Sequence, residues 1–265
     1  MTKTRVAING AAGRMGRRLI ALGSADPELQ IVAALERAGH PELGQDAGPL
    51  AGVPALGVAL TAALNAEADV LVDFSLPAGA EAATDLCLQH GLPLVMATTG
   101  LEEPQKRRLH AAAEKIPIVW APSMSLAVNL TMKLATMAAS VLKNASSGAD
   151  VEIIERHHRY KKDSPSGTAL RFGELIAAEM GQTKQMHGRE GVVGERPHGE
   201  IGYHAVRAGD NPGEHTILFG LLGESIELTV RATNRDCYAL GAFAAAKFVA
   251  RQKPGLYTMN DVLGL

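Results

Sequence analysis

The chain has 265 residues and a formal net charge of −2, with 46% hydrophobic and 20% charged residues. This length fits two modest domains or one large one, and the composition is that of a globular protein. Aromatic residues make up only 4%, which argues against the base-stacking surfaces of proteins that bind single-stranded nucleic acid. The near-neutral charge provides no general attraction to nucleic acids or membranes, so an anionic ligand would have to bind a local cluster.

The cysteines and the N-terminal segment favour a cytoplasmic protein. Cys87 and Cys237 stand singly in apolar surroundings, without CxxC or metal-ligand spacing, which favours buried thiols. The chain enters its first apolar run, residues 5–8, without the apolar core of a signal peptide. Prolines and polar residues interrupt the most apolar stretch, residues 116–142, so we expect no membrane-spanning segment.

Short apolar runs alternate with helix-patterned segments through the first half of the chain. We predict strands over residues 5–9, 31–35, 70–74, 94–97 and 118–120, and helices over residues 13–23, 78–89 and 102–115. The runs lack apolar–polar alternation, as is typical of strands buried on both faces. Strand–helix alternation predicts a parallel, doubly wound sheet, so the first half is expected to be a Rossmann-type α/β domain.

The pattern changes in the second half of the chain. We predict helices over residues 125–143 and 168–180, and strands over residues 151–156, 201–208, 215–221 and 225–232. Short glycine-containing turns join the last three strands, which predicts antiparallel pairing between them. The polar, glycine-rich stretch 183–198 is predicted to be a surface loop.

These patterns divide the chain into two predicted domains. An Ala-rich helix over residues 237–251 is suited to pack back on the first domain. The first domain is therefore expected to comprise residues 1–125 together with 236–265. Residues 126–235 are expected to form a mixed α/β domain with a largely antiparallel open sheet.

A glycine-rich segment, Gly10-Ala11-Ala12-Gly13-Arg14-Met15-Gly16, follows the first predicted strand and leads into the first predicted helix. Gly10 permits a tight turn, Gly13 lets backbone N–H groups approach a pyrophosphate, and Gly16 lets the helix close onto the strand. The GxxGxxG spacing is a variant of the dinucleotide fingerprint. The segment therefore predicts dinucleotide binding, the alternative being a glycine-rich turn in a domain that binds another ligand.

Glu36 and Arg37 end the second predicted strand, about 20 residues beyond the glycines, where the fingerprint requires an acid for the ribose. A carboxylate favours the ribose hydroxyls of NAD, whereas a guanidinium favours the 2′-phosphate of NADP. Because both are present, we predict that the chain uses both NADH and NADPH.

Two further loops follow later strands, at the end of the sheet where open α/β sheets bind ligands. They are Ala97-Thr98-Thr99-Gly100 and Ala121-Pro122-Ser123-Met124. Their small hydroxyl residues are suited to contact a ribose or a nicotinamide amide. Ordinary turn residues are the alternative interpretation.

The segment from Glu155 to Ala169 differs from the rest of the chain. Six basic or titratable cationic side chains occupy the seven positions from Arg156 to Lys162, and Ser166-Gly167-Thr168 follow where the next helix begins. A helix N-terminus presents unpaired N–H groups and a partial positive charge, so together with the cationic side chains it predicts a small polyanionic substrate. The histidines add proton transfer near neutral pH.

Two alternatives apply to this segment. A solvated basic turn with a helix cap accounts for Arg159 and Lys162, but it does not account for adjacent His157 and His158 beside an anion-binding turn. A zinc site would need a third ligand at suitable spacing, and the sequence offers none, so we expect no metal.

A longer pattern runs through the same segment: Glu152-Ile153-Ile154-Glu155-x-His157-x-x-x-Lys161-x-Asp163-x-Pro165-Ser166-Gly167-Thr168-Ala169. It resembles the signature of the dihydrodipicolinate reductases, also called 4-hydroxy-tetrahydrodipicolinate reductases. Shorter likenesses extend over nearly the whole chain. They are Val6-Ala7-Ile8, Gly13-Arg14-Met15-Gly16, Ala34-Leu35-Glu36-Arg37, Asp73-Phe74, Thr98-Thr99-Gly100, Arg207-Ala208-Gly209-Asp210 and Gly213-Glu214-His215-Thr216.

The resemblance implies an oxidoreductase of the diaminopimelate route to lysine. Such an enzyme transfers a hydride from NADH or NADPH to a cyclic, imine-type dicarboxylate and yields tetrahydrodipicolinate. The resemblance also implies a homotetramer assembled through the substrate domain. By position in the signature, His157 is expected to protonate the substrate carbon, with Lys161 completing the acid–base pair. His158 would contact the substrate, and Gly167 with Thr168 would bind a carboxylate.

Three positions depart from the family pattern and bear on cofactor binding rather than on proton transfer. Ala97 stands where Gly is expected, Ser123 where Asn or a similar residue is usual, and Leu76 in place of a basic or polar residue.

Two other classes of protein share parts of this pattern. A semialdehyde dehydrogenase on the same fold would need a reactive cysteine in an electropositive setting, which neither Cys87 nor Cys237 has. A non-catalytic dinucleotide sensor would have no use for His157 and Lys161.

Overall fold

The structure, a computed structural model, describes residues 2–146 and 148–265. Met1 and Ser147, which fall inside the predicted domains, lie outside the described residues. The chain divides into two compact units. Unit 1 comprises the residues up to Leu126 together with Asp236–Leu265, and unit 2 comprises Ala127–Arg235.

The strands and helices follow one another in chain order. The strands are β1 (Thr4–Asn9), β2 (Leu29–Leu35), β3 (Leu60–Thr61), β4 (Val70–Asp73), β5 (Leu94–Met96), β6 (Pro117–Trp120), β7 (Asp150–His157), β8 (Lys184–His187), β9 (Glu200–Arg207), β10 (Gly213–Gly220), β11 (Ser225–Ala232) and β12 (Gly255–Tyr257). The helices are α1 (Arg14–Ala25), α2 (Ala47–Leu50), α3 (Pro77–His90), α4 (Glu103–Ala113), α5 (Leu126–Leu142), α6 (Gly167–Met180), α7 (Asp236–Val249) and α8 (Met259–Leu263).

Unit 1 is built on a seven-stranded sheet with the order β12-β6-β5-β4-β1-β2-β3. Every pair in this sheet is parallel. The chain moves from β1 to β3 in one direction and then adds β4, β5 and β6 on the other side of β1. The carboxyl ends of β1 and β4 therefore meet at a topological switch point, where open α/β sheets bind ligands. The predicted Rossmann-type sheet is confirmed.

Both faces of this sheet are covered. Val70 and Val72 belong to the apolar cluster that includes residues of α1 and α7, whereas Leu71 belongs to the cluster that includes residues of α3 and α4. Successive side chains of a strand point to opposite faces, so a strand covered on both sides needs an uninterrupted apolar run. This is the physical reason for the unpatterned runs in the first half of the sequence.

Unit 2 contains a five-stranded mixed sheet with the order β11-β10-β7-β9-β8. The pairs β10–β7 and β10–β11 are antiparallel, and the pairs β7–β9 and β8–β9 are parallel. Antiparallel pairing was expected between β9 and β10 because a short turn joins them, but β7 lies between them. Val151 and Ile153 of β7 are fully buried, and so are Ile217 and Phe219 of β10, so the apolar pattern of the sequence does not show which strand is central.

The segment predicted to be a surface loop, residues 183–198, begins with the strand β8. The rest of it is held to the sheet by Arg189 and Arg196, which each donate a hydrogen bond of 2.8 Å to Oε1 of Glu152. The short elements β3, β8, β12, α2 and α8 were not predicted because none is long enough to show a periodic pattern. Within residues 2–146 and 148–265, no helix has both the length and the apolarity to cross a membrane.

Candidate active site

The carboxyl ends of the parallel strands in unit 1 form one edge of the sheet, here called the carboxyl edge. It carries the glycine segment after β1, Glu36 and Arg37 after β2, and the two predicted loops after β5 and β6. Parallel strands present all their carboxyl ends at the same edge, so the topology alone brings these segments to one side of unit 1.

The glycine segment forms the turn that the sequence predicts. Gly10 has a φ of 75°, and an added Cβ would lie 3.2 Å from the carbonyl oxygen of Phe74. A Cβ on Gly16 would lie 2.1 Å from the carbonyl oxygen of Gly10, so only glycine lets α1 start this close to β1. Gly13 is the N-cap of α1 without a side-chain hydrogen bond. The first-turn N–H groups thus have no acceptor within the helix, which fits a pyrophosphate.

The residues between these glycines have distinct environments. Ala11 is buried and its N–H donates to the carbonyl of Leu35, whereas Arg14 is exposed and Met15 packs partly against the core. The carboxylate of Glu36 accepts hydrogen bonds from the N–H groups of Ala12 at 3.3 Å and Arg37 at 3.0 Å.

Glu36 therefore lies beside the glycine turn, where the dinucleotide fingerprint requires an acidic side chain that binds the ribose. The exposed Arg37 follows it. The residues of the carboxyl edge fit a dinucleotide.

A buried carboxylate at the switch point was not predicted as a site residue. Asp73, at the end of β4, accepts hydrogen bonds of 2.6 Å from the side-chain amide of Asn9 and from the hydroxyl of Thr98. Burial raises the pKa of Asp73, and the hydrogen bonds from Thr98 and Asn9 only partly oppose this. Asp73 thus links the ends of β1, β4 and β5. The Thr98 hydroxyl, which was expected to contact the cofactor, fixes the loop after β5 by its hydrogen bond to Asp73.

The loops after β5 and β6 combine buried and exposed residues. Ala97, Ala121 and Met124 are buried in the apolar core of unit 1, and Ser123 is 9% exposed. Thr99, Pro122 and Leu76 are exposed, Leu76 to 75%. The exposed members of the two predicted loops are thus Thr99, Gly100 and Pro122, whereas Ala97, Ala121 and Met124 also belong to the core.

In unit 2, the segment with the cationic side chains runs from the end of β7 to the start of α6. Val151, Ile153, Glu155 and His157 alternate along β7 and are all buried. Glu155 and His157 therefore lie on the core-facing side of the sheet, where the strand pattern otherwise places apolar residues.

Five polar side chains meet on this face and are here called the histidine cluster: Glu155, His157, Ser166, Arg207 and His215. Register explains their meeting, because β10 places His215 opposite Glu155 and β9 places Arg207 opposite His157. Residues about 50 positions apart in the sequence thus become neighbours. Arg207 and His215 fall within the shorter likenesses to the reductase family. No local motif predicts that Arg207 bonds Glu155 or that His215 meets Ser166 and His157.

Glu155 is the centre of the cluster. Its Oε2 lies 2.6 Å from Nδ1 of His157, and Nη1 and Nη2 of Arg207 donate to its two oxygens at 2.8 and 2.6 Å. The backbone N–H of Ser166 donates to Oε1 at 3.0 Å. Burial raises the pKa of Glu155, but the hydrogen bonds from Arg207 and His157 more than offset it, so the pKa is lowered.

The two histidines of the cluster face each other, with ring centroids 5.2 Å apart. Burial, together with the nearby charge of His157, lowers the pKa of His215 to about 4. His215 is therefore neutral at physiological pH, and its Nε2 lies 2.9 Å from Oγ of Ser166. Burial also lowers the pKa of His157, but Glu155 opposes that shift.

The other edge of the His157 ring borders glycine. A Cβ added to Gly213, at the start of β10, would lie 3.0 Å from Nε2 of His157. Any larger residue would crowd this nitrogen, so Gly213 keeps space beside it. Lys161 follows in the loop, where its Nζ lies 2.9 Å from Oδ2 of Asp163.

The start of α6 lies next to the cluster in the chain. Oγ of Ser166 caps the helix by accepting the N–H of Ala169 at 3.1 Å. The N–H groups of Gly167 and Thr168 are in the first turn, which has no acceptors within the helix. Gly167 is exposed and Thr168 is half-buried, so both remain available to a carboxylate.

The remaining predicted residues of this segment differ in burial. His158 is half-buried, and its Nδ1 is buried without a hydrogen-bond partner among the described residues. A buried nitrogen without a partner is costly unless a ligand or water satisfies it, which fits the predicted substrate contact. Arg159 and Lys162 are exposed, as a solvated flank would be.

The cysteines offer no activated nucleophile. Cys87 is fully buried and Cys237 is half-buried. Burial raises the pKa of both thiols, whereas a nucleophilic cysteine needs a lowered pKa.

A parallel sheet with a glycine turn of the dinucleotide-binding type, joined in one chain to a buried histidine beside a helix start, is typical of a nicotinamide-dependent oxidoreductase. The sequence comparisons are specific. The chain belongs to the dihydrodipicolinate reductase family: residues 4–124 match the family's N-terminal model, and residues 127–263 match its C-terminal model.

Relatives and a solved structure agree with this assignment. The chain is 56% identical to a 4-hydroxy-tetrahydrodipicolinate reductase of Rhodopirellula baltica, over 97% of this chain and 95% of that protein. It is 49% identical to the Burkholderia thailandensis enzyme of the same name, over 100% of both. A dipicolinate-bound dihydrodipicolinate reductase from Paenisporosarcina sp. TG-14 is 29% identical, with a TM-score of 0.78, and 97% of this chain and 98% of that chain are covered. As a family member, the chain is an NAD(P)H-dependent oxidoreductase of lysine biosynthesis.

Proposed function

We propose that unit 2 binds a cyclic, imine-type dicarboxylate and protonates it from His157, while the carboxyl edge of unit 1 holds NADH or NADPH. The observation that carries this proposal is the His157 ring, whose Nδ1 lies 2.6 Å from Oε2 of Glu155 and whose Nε2 lies next to Gly213, where an added Cβ would come within 3.0 Å. An imidazole fixed through one nitrogen presents the other to a substrate in a defined direction, as proton transfer requires. The reduced nicotinamide, when bound, supplies the hydride.

The carboxylates of the substrate would be held by the start of α6 and by the cationic side chains before it. The N–H groups of Gly167 and Thr168, the Thr168 hydroxyl and the helix dipole favour one carboxylate. His158 would take a further contact through its buried Nδ1. The relative from Paenisporosarcina carries dipicolinate, a ring with two carboxylates, which supports a substrate of this shape for this chain.

Lys161 would complete the acid–base pair of His157. Lys161 lies in the loop after β7, and its positive charge lowers the pKa of His157. This effect is smaller than the lowering by burial and the raising by Glu155. A cation there also stabilises negative charge that develops on the substrate. Electrostatic attraction to the dicarboxylate and support of the proton transfer thus come from the same side chain.

The cofactor roles rest on unit 1 alone. Gly10, Gly13 and the N–H groups of Arg14 and Met15 would hold the pyrophosphate, and Glu36 with Arg37 would meet the ribose or its phosphate. Ala11 and Ala12 form the turn between these contacts. The loops Ala97–Thr99 and Ala121–Met124 would line the nicotinamide end, with Thr98 fixed by Asp73.

Assembly and location extend the same proposal. We expect a homotetramer formed through unit 2, whose edge strand β11 is largely exposed and could pair with a second copy. We expect the enzyme in the cytoplasm, with no nucleic-acid or membrane partner. Light scattering gives the mass of the assembly in solution, and a monomer would contradict the tetramer.

The test uses the product of the preceding synthase as substrate and follows NADPH oxidation. Wild-type enzyme should turn over, whereas His157→Gln and Lys161→Gln should each lower kcat by roughly a hundredfold or more, the usual scale for a lost acid–base group. Thr168→Val should raise KM for the substrate by about tenfold, since it removes one hydrogen bond to a charged group.

The matched control is His198→Gln, because His198 is an exposed histidine of the same unit and should leave kcat unchanged. Absence of turnover by the wild type would overturn the proposed activity. Near-normal turnover by folded His157→Gln and Lys161→Gln would overturn the proposed acid–base roles.

A further inference from the structure

Glu155, whose carboxylate contacts Nδ1 of His157, has a place in the proton transfer that goes beyond this contact. Glu155 and His157 are two residues apart on β7, so their side chains lie on the same face of the strand. The Oε2–Nδ1 distance is 2.6 Å, and the Glu155 side chain is only 1% exposed. A short contact between a buried carboxylate and an imidazole nitrogen fixes both the ring orientation and the tautomer.

We infer that Glu155 is a positioning residue for His157: its carboxylate holds the Nδ1 proton, so that Nε2 is the nitrogen that carries the proton to the substrate. This inference rests on the proposed role of His157 as the general acid. When Nε2 gives up its proton, the ring remains in the neutral form with the proton on Nδ1, which is the form that Glu155 accepts.

The contacts of Glu155 exclude it as a proton donor in its own right. Oε1 accepts from Nη2 of Arg207 and from the N–H of Ser166, and Oε2 accepts from Nη1 of Arg207 and contacts His157. Both oxygens are therefore engaged by protein groups, and the side chain is only 1% exposed. The Arg207 guanidinium keeps the carboxylate ionised in a buried position.

The charged and titratable groups around His157 give Glu155 a particular importance. Lys161 in the following loop and Arg207 on β9 are cationic, and each lowers the pKa of His157, as burial does. His215 on β10 is neutral, because its own pKa is lowered to about 4. Glu155 is the group that raises the pKa of His157, through both its hydrogen bond and its charge. Without it, the ring would have a greatly reduced tendency to hold a proton.

The same carboxylate also fixes the start of α6. The N–H of Ser166 donates to Oε1, and Ser166 is the N-cap of the helix whose first turn would bind a substrate carboxylate. One side chain thus sets the position of both the proton donor and the anion-binding turn. A change at Glu155 is therefore expected to affect proton transfer first and substrate affinity second.

The experiment is the pH dependence of kcat for Glu155→Gln. A general acid must be protonated, so activity falls as pH rises through the pKa of His157. Removing the negative charge lowers that pKa, and the alkaline limb of the profile should move toward lower pH by about 1. At a fixed pH on that limb, kcat should therefore fall about tenfold. The Kd for NADH should stay unchanged.

Two variants control for charge and for burial. Glu155→Asp keeps the charge but withdraws it by one methylene, so kcat should fall while the alkaline limb stays near its wild-type pH. Glu214→Gln changes a carboxylate of similar burial on β10 that pairs with Arg156 and Arg231 on the opposite face of the sheet. It should leave the profile unchanged. A Glu155→Gln profile that coincides with the wild-type profile would overturn the inference.

A measurement on the wild-type enzyme covers the case in which Glu155→Gln does not fold. Nitrogen-15 NMR of the neutral His157 ring should show the proton on Nδ1, and a ring with the proton on Nε2 would overturn the inference. Failure of the proposed function is distinguishable: His157→Gln would then retain activity, whatever Glu155→Gln does. If His157→Gln is inactive and Glu155→Gln has the wild-type profile, the inference alone fails.

Discussion

The carboxyl edge of unit 1 and the histidine cluster of unit 2 use different parts of the chain for their chemistry. At the carboxyl edge, backbone N–H groups at the start of α1 form the candidate anion site, and Gly10 and Gly16 allow the tight turn that brings α1 close to β1. In the histidine cluster, side chains form the candidate proton-transfer site, and Glu155 is bound by groups from β7, β9 and the start of α6. Backbone recognition is local in sequence, whereas a buried side-chain network depends on how strands are ordered.

The two sites should therefore fail differently when mutated. A side chain at Gly10 or Gly16 would collide with backbone atoms and change the conformation of the turn. Substitutions there should therefore weaken cofactor binding. Removing one member of a buried charged network leaves its partner as an unpaired buried charge. The free-energy cost of that unpaired charge is larger than the net stabilisation that the intact network provides. Damage in unit 2 should appear mainly in turnover and its pH dependence.

The largest expected effect on the carboxyl edge comes from Gly16→Ala. Its Cβ would lie 2.1 Å from the carbonyl oxygen of Gly10, so α1 must move away from β1. We expect the Kd for NADH to rise roughly a hundredfold, equivalent to about 3 kcal/mol. Fluorescence titration measures this. Gly199→Ala is the control, because its Cβ would meet nothing within 4 Å, and equal affinities in the two variants would contradict the role of Gly16.

A smaller effect is expected in unit 2 from Gly213→Ala. The new Cβ would lie 3.0 Å from Nε2 of His157, so the ring must shift from the direction set by Glu155. We expect kcat to fall about tenfold, or ~1.4 kcal/mol in the barrier, with the Kd for NADH unchanged. Gly220→Ala on the same strand places its Cβ 3.9 Å from Asp150 and serves as the control. Wild-type kcat in Gly213→Ala would show that the space beside Nε2 is not needed.

The smallest effects are expected at the ribose end of the carboxyl edge. Glu36→Ala should weaken the binding of NADH several-fold more than that of NADPH, because it removes the partner of the ribose hydroxyls. Arg37→Ala should do the reverse, because it removes the partner of the 2′-phosphate. Each lost interaction is worth ~1 kcal/mol or more. Ratios of kcat/KM for the two cofactors measure this. Equal losses for both cofactors in both variants would contradict the assignment of the pair.

The contrast also explains how far the sequence could predict the molecule. The parallel sheet of unit 1 was predictable because each strand is a short apolar run between helices, and Gly10–Gly16 mark the turn in the sequence itself. In unit 2, the placement of β7 between β9 and β10 was not predictable. Local turn patterns favour pairing of successive strands, whereas the observed order inserts β7, a strand from earlier in the chain, between β9 and β10.

The candidate sites follow the same rule. His157, Lys161 and Thr168 stand in one continuous motif, so sequence alone could nominate them. Arg207 and His215 join Glu155 only through the register of β9 and β10, and nothing near them in the sequence indicates this contact. Asp73 stands in one of the short likenesses to the family, but its hydrogen bonds could not be predicted, since its partners Asn9 and Thr98 come from β1 and from the loop after β5.

The central claim is that unit 1 binds the cofactor and unit 2 moves the proton, and His157→Gln tests it most directly. NADH titration and turnover should be measured on the same preparation of this variant. We predict a Kd for NADH within about twofold of wild type, as for independent sites, with kcat lower by roughly a hundredfold or more. Two results would contradict this division of roles: a variant that loses NADH binding as well as turnover, or a folded variant with wild-type turnover.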